Sequence, residues 1–278
     1  MIANLLVSLF FFWRGKLKLL GAGRLLSLAA IWERQLQSFP FQIPTIGKLT
    51  VDFRDRSSFC WTSYLLGLRL AEEAHLTVIG RYLRPGSVFW DVGSNVGLVS
   101  ALVFKSYPTV QIVAIEPNPA LAERLEHLFA EHERVVVLRR ALSSSDGEAP
   151  FFIPAGASFA GSLDRKETNA GEFVPVRLSR GDSLLDELSR LSPPALIKID
   201  AEAHEPSVFC GLDRIIREHK PTIIFEHEHL SDEMVTALTP QGYRRFSIHR
   251  ETGQLINGID RRSSVDSILI PVDQDAIA

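Results

Sequence analysis

From about residue 86 the chain settles into a rhythm that few architectures satisfy: short β-branched apolar runs separated by longer segments of helical period. The runs are SVFW (87–90), QIVAI (111–115), VVVL (135–138), ALIKI (195–199), TIIF (222–225), YRRFSI (243–248) and SILIPV (267–272). Strands that alternate with helices form parallel βαβ units, because each helix carries the chain back for the next strand. Seven runs therefore predict an α/β domain with a seven-stranded, mostly parallel sheet flanked by helices.

The intervening segments carry their own punctuation. In PNPALAERLEHLFAEH, Asn118 stands where an N-cap belongs and Pro119 at the first helical position, while Leu121, Leu125, Leu128 and Phe129 mark one face. Pro206 fits the start of another helix, with Val208, Phe209, Leu212, Ile215 and Ile216 as its buried stripe and Pro221 as its stop. Ser231, followed by Asp232 and Glu233, opens a third. Between the third and fourth runs lies a long interruption, roughly 147–194, rich in Gly, Ser and Pro. A segment of that length inside a compact domain is usually functional or disordered.

At 278 residues and 46% hydrophobic, the chain is long enough for one large domain with an appendage. Residues 1–85 read as a helical N-terminal extension or cap, and 86–278 as the main domain. A formal charge of −3, with no long basic run, argues against a nucleic-acid partner. Cys60 and Cys210 fit no metal-ligand spacing and read as two buried thiols in a reducing, cytoplasmic setting. The apolar run Ile2 to Trp13 is twelve residues long, short of the roughly 20 that span a bilayer. Arg14, Lys16 and Lys18 follow it rather than precede it, which argues against a secretory signal. Two readings stay open: a core helix, or an interfacial anchor making peripheral membrane contact.

The first run leads into VFWDVGSNVG, where Asp91, Gly93, Asn95 and Gly97 precede an apolar helix. Glycines at a strand-to-helix turn let backbone approach a ligand, and the helix start aims free N–H groups at it. The spacing departs from the G-x-G-x-x-G of dinucleotide sites, so a pyrophosphate is disfavoured. Glu116 ends the second run, where a carboxylate can bind both hydroxyls of a ribose.

Taken in order, DVGSNVG (91–97), IEPNP (115–119), ALSSSDGE (141–148), SLLDEL (183–188), IKIDAEAHE (197–205) and IIFE (223–226) resemble the FkbM-type class I S-adenosylmethionine-dependent methyltransferases. The resemblance covers about residues 85–230 and implies a Rossmann-like sheet with S-adenosylmethionine as cofactor. It implies further that Asp91 and Gly93 hold the cofactor's methionine end, that Asn95 and Gly97 shape the loop, and that Glu116 binds the ribose. The backbone near Ala141 and Leu142 would border the adenine, and Asp200 would lie near the sulfonium. The implied acceptor is a hydroxyl on a sugar, glycan or other small molecule, with 147–194 on the acceptor side.

Methyl transfer to a hydroxyl needs an aligned nucleophile and a proton acceptor. IKIDAEAHE and TIIFEHEHL bring two clusters of acids and imidazoles to neighbouring strand ends, and three readings compete there. In the first, Asp200, Glu202 or His204 is the base and the other acids orient the acceptor. In the second, which is not favoured, Asp200, Glu202, Glu205 and Glu226 or His227 hold a divalent metal. In the third these are helix-start and surface residues. Where the family pattern runs V-E-G-A-E, this chain has Ala201, Glu202, Ala203, His204 and Glu205. Losing the glycine removes left-handed backbone freedom. That keeps a rival in play, a non-catalytic cofactor-binding or interaction module of the same fold.

Overall fold

The computed structural model describes residues 39–43, 47–51, 71–155, 158–164 and 170–274. The apolar run Ile2 to Trp13 and Cys60 lie outside them. A hairpin, β1 (Phe39–Ile43) and β2 (Gly47–Val51), and helix α1 (Ala71–Tyr82) come first. The alternating region follows as β3 (Val88–Val92), α2 (Leu98–Ser106), β4 (Gln111–Ile115), α3 (Pro119–Phe129) and β5 (Val135–Leu138). Next come β6 (Ala141–Leu142), β7 (Gly147–Pro154), β8 (Gly171–Ser179) and α4 (Gly181–Glu187). The chain then runs through β9 (Pro194–Ile199), α5 (Glu205–Gly211), α6 (Asp213–His219), β10 (Thr222–Glu226) and α7 (Asp232–Ala237). It ends in β11 (Tyr243–Ile248), β12 (Leu255–Asn257) and β13 (Asp266–Pro271).

All seven apolar runs are strands of one sheet, ordered β12-β11-β13-β10-β9-β3-β4-β5, with β12 as an eighth, edge strand. From β5 to β10 the pairing is parallel, and β13 runs antiparallel between β10 and β11. Both faces are covered, which is why the central strands read as near-continuous apolar runs. Phe89, Ile112, Leu196 and Ile224 pack on one side with Val78, Leu102 and Leu125. Trp90, Val113, Ile197 and Phe225 pack on the other with Val208, Leu212 and Val235. The interruption after β5 is largely ordered: β7 and β8 form an antiparallel pair, and β8 also pairs with β6.

Both helix caps read from sequence are made. Asn118 Oδ1 accepts from Ala120 N at 3.0 Å and Ser231 Oγ from Met234 N at 3.2 Å. The helix after Pro206 differs from the expectation of one continuous element. It breaks at Leu212 into α5 and α6, although the whole stripe is buried. The break follows Gly211, where a Cβ would stand 2.1 Å from the carbonyl oxygen of Ser143. Cys210 is exposed rather than buried, because it falls off that stripe. Among the described residues no helix is long and apolar enough to cross a membrane.

Candidate active site

Strand β3 ends in a loop whose backbone is dictated by its neighbours. Gly93 sits at φ +74°, and a Cβ there would lie 1.8 Å from the carbonyl oxygen of Asp200, so β9 leaves room for nothing larger. Gly97, at φ +78°, caps α2, and a Cβ on it would meet Leu125 Cδ2 at 2.2 Å, which makes it a helix-packing glycine. Asn95, also left-handed at φ 53°, donates its backbone N–H to Glu116 Oε2 at 2.7 Å. Asn118 N donates to the other oxygen, Oε1, at 2.8 Å. Glu116 is thus clamped between the loop and the start of α3. Burial pushes its carboxyl up to about 7 against the pull of those two amides. Asp91 is fully buried; Ser100 Oγ donates to its Oδ2 at 2.6 Å, and Oδ1 has no partner. Burial raises the Asp91 carboxyl as well.

A cleft opens at the carboxyl ends of these strands. Asn95, Glu116, Ala141 and Leu142 line one end, and Asp200, Glu202, His204 and Glu226 the other. Phe151, Ser158, Gly161 and Leu163 wall it from the β7–β8 side. A second cavity, lined by His75, Asp91, Lys198 and Asp266, shares Gly93, Asn95, Asp200 and Glu226 with the first.

Charged groups cross the sheet beneath this junction. Asp91 and Lys198 are register partners, as are Glu226 and Asp266. Lys198 Nζ lies 3.0 Å from Asp200 Oδ2. Burial alone would depress that ammonium, but the Asp200 and Asp91 carboxylates outweigh it and raise it above the usual lysine value. Asp266 Oδ2 is 2.9 Å from His75 Nε2. Burial works to raise Asp266, yet His75 and Lys198 hold it below the ordinary carboxylate range. Among the described residues no cation offsets Glu226: burial first, then Asp200 and Glu202, push it up to about 9.

The AEAHE segment turns sharply. Glu202 at φ 51° and Ala203 at φ 78° are consecutive left-handed residues. Alanine in place of glycine costs freedom without abolishing the turn, and Ala203 sits in a region that disfavours a Cβ. Glu205 Oε1 accepts from Ala201 N at 2.8 Å, bracing the turn from below, and burial pushes its carboxyl up to about 7. His204 Nε2 is 3.0 Å from Ser143 Oγ and its Nδ1 is 2.5 Å from Asp164 Oδ2. His227 is fully buried with Nδ1 2.9 Å from Ser267 Oγ, and burial lowers its basicity.

Asp200, Glu202, His204 and Glu226 are therefore gathered on the cleft, whereas Glu205 and His227 do not line it. Among the described residues, Glu226, Glu228 and His229 each bring a ligand-type atom within 4.8 Å of the others. Glu228 and His229 are exposed there. Sequence reading missed Lys198 and Arg140. Lys198 had left a signal, a lone charge inside the apolar run ALIKI. Arg140, which pairs with Glu187 through two hydrogen bonds of 2.7 and 2.9 Å while lining the cleft, had left none.

Known proteins related in sequence include a methyltransferase. The chain is 30% identical over 152 residues to the hexuronic acid methyltransferase AglP of Haloferax volcanii, covering 54% of this chain and 60% of that protein. It is 28% identical over 170 residues to the AMB antimetabolite synthetase AmbE of Pseudomonas aeruginosa, covering 48% of this chain and 8% of that one. The chain thus spans less than two thirds of either relative. A solved methyltransferase FkbM from Methylobacillus flagellatus superposes with a TM-score of 0.47 at 18% identity, covering 67% of this chain and 44% of that one. The family model for the methyltransferase FkbM domain matches residues 91–245, from the glycine loop through Glu116, Asp200 and Glu226 to β11, and the chain belongs to that family.

Proposed function

We propose that the chain is an S-adenosylmethionine-dependent methyltransferase acting on an oxygen nucleophile, a hydroxyl of a sugar, glycan or other small molecule. The observation that carries this reading is one cleft with Glu116 at one end and Asp200, Glu202 and Glu226 at the other, open to the Asp91 cavity through Gly93 and Asn95. The residues suit the cofactor. Each Glu116 oxygen accepts a single amide and has a lone pair left for a ribose hydroxyl. Ile115, Ala141 and Leu142 offer an apolar bed for a base, and the unpartnered Oδ1 of Asp91 suits an amino group. When bound, S-adenosylmethionine supplies a methyl group already activated on a sulfonium.

What remains for the protein is alignment and a proton acceptor. Asp200, fixed by Lys198, and Glu202, raised into the cleft by the left-handed turn, are the candidate bases. Glu226, neutral near pH 7, donates a hydrogen bond to an acceptor oxygen. Residues 147–194, with 1–85, form the acceptor side in this reading, and the name of the archaeal relative supports a sugar class.

Calorimetry with S-adenosylmethionine and S-adenosylhomocysteine tests the proposal: no binding at millimolar ligand sinks it. Glu116→Ala should abolish binding, whereas Asp200→Asn should bind yet fail to methylate an acceptor found by screening with labelled methyl donor. Loss of activity in EDTA would revive a metal. A second reading, a non-catalytic binding module, is favoured by the strained Ala203 and the bulk of His204; binding without transfer to any screened acceptor would support it.

A further inference from the structure

His204 joins two walls of the cleft through both of its ring nitrogens. On one side is Ser143, directly after the Ala141 and Leu142 that line the cofactor end. On the other is Asp164, in the described segment 158–164 whose Ser158, Gly161 and Leu163 line the opposite wall. The loop is tied elsewhere as well: Asn118 Nδ2 donates to Ser158 O at 3.3 Å, Ser162 Oγ donates to the Glu202 carbonyl at 2.8 Å, and Ser162 exchanges backbone hydrogen bonds with Phe152 of β7. Asn118 is also the residue whose amide clamps Glu116.

Both imidazole nitrogens are occupied. Nδ1 is hydrogen-bonded to the Asp164 carboxylate and Nε2 to the Ser143 hydroxyl. Each nitrogen is thus engaged by one wall of the cleft. A rigid ring with a donor and an acceptor at fixed separation can hold two walls in register, which alanine or glycine at this position cannot.

We propose that His204 is a positioning residue, a strut coupling the cofactor-side wall at Ser143 to the 158–164 loop, so that filling the Glu116 end of the cleft fixes the acceptor wall opposite. The coupling rests on the cofactor reading above. Binding that orders Ser143 and Asn118 lowers the cost of ordering the loop they hold, and by reciprocity a held loop favours that binding.

Hydrogen exchange of the 158–164 amides, with and without saturating S-adenosylhomocysteine, tests this. In the native chain the ligand should slow their exchange severalfold. In His204→Ala, exchange should be faster in the free protein and the ligand-induced slowing should be much reduced, leaving only what the Asn118 tie to Ser158 transmits. Ser143→Ala should keep the free loop slow yet lose most of the ligand effect, whereas Asp164→Ala should loosen the free loop; a purely structural histidine would not separate these two variants. Equal slowing by ligand in native and His204→Ala protein overturns the proposal. If S-adenosylhomocysteine does not bind the native chain, the cofactor reading fails instead. The strut is then judged on the free proteins, where unchanged 158–164 exchange in His204→Ala overturns it.

Discussion

Lys198 Nζ and Asp200 Oδ2 stand 3.0 Å apart, two residues along one strand end, so both project from the same face of the sheet into the junction of the two cavities. Lys198 is 5% exposed and also faces the buried Asp91, so one ammonium balances two carboxylates. Removing it leaves buried charge without a partner. Lys198→Met should therefore destabilise the fold by about 1–2 kcal/mol, measured by urea unfolding, less than the cost of breaking a fully buried pair because the Asp200 side chain is 42% exposed and partly screened. A loss below about 0.5 kcal/mol would mean that solvent already satisfies Asp200.

Ala203 holds a left-handed backbone at φ 78°, which costs a residue with a Cβ about 1–2 kcal/mol. Ala203→Gly should relieve it. Offset by the greater unfolded-state freedom of glycine, the net gain should be about 1 kcal/mol. Denaturant midpoints would show it, and a glycine variant less stable than the native chain would show that the turn is not strained.

Glu116 should make cofactor binding depend on pH. Its carboxyl is pushed up to about 7, so below that value it is largely neutral and a poorer acceptor for ribose hydroxyls. S-adenosylhomocysteine should bind about tenfold more tightly at pH 8 than at pH 6, in proportion to the ionised fraction. Glu116→Gln should weaken binding and flatten the profile. A flat native profile from calorimetry would contradict the assignment.

The same shifts bear on stability without ligand. A carboxyl whose folded value is raised favours the protonated folded state, so its destabilising effect grows as pH rises from the unfolded value, about 4.5, to the folded value. Glu116 and Glu205 act between about 4.5 and about 7, and Glu226 up to about 9. Stability should thus fall from pH 5 to pH 9, by on the order of 3 kcal/mol for Glu116 alone. Glu226→Gln should remove most of the decline between pH 7 and 9, followed by thermal melting across that range. An unaltered decline in that variant would place its cause elsewhere.

The parts legible in the sequence were those governed by local pattern. The seven central strands showed because burial on both faces makes them apolar throughout, and Asn118 and Ser231 showed because a cap is a short-range hydrogen bond. The β7–β8 pair was not legible: Pro150, Pro154 and Pro175 interrupt its strand pattern. The break at Leu212 answers to the Ser143 carbonyl, a neighbour distant in sequence. The acids at the ends of β3, β4, β9 and β10 could be placed from topology alone. The direction of each could not: Glu205 reaches back to the Ala201 amide and His227 to Ser267, while Glu202 enters the cleft. Lys198 was overlooked because periodicity assigns a residue to a face but does not say that the face ends in a charged row.

The placement of β13 also governs how the molecule is assembled. Because it inserts between β10 and β11, both strands keep an open edge during synthesis until residues 266–271 have emerged, and Asp266 reaches its place beside His75 at the same moment. The glycine loop, Glu116 and Asp200 are made much earlier, but the sheet that holds them in register closes in one late, long-range step. Ligand affinity should accordingly arrive all at once on the ribosome, and a chain cut ahead of β13 should be prone to pair its exposed edges with other copies.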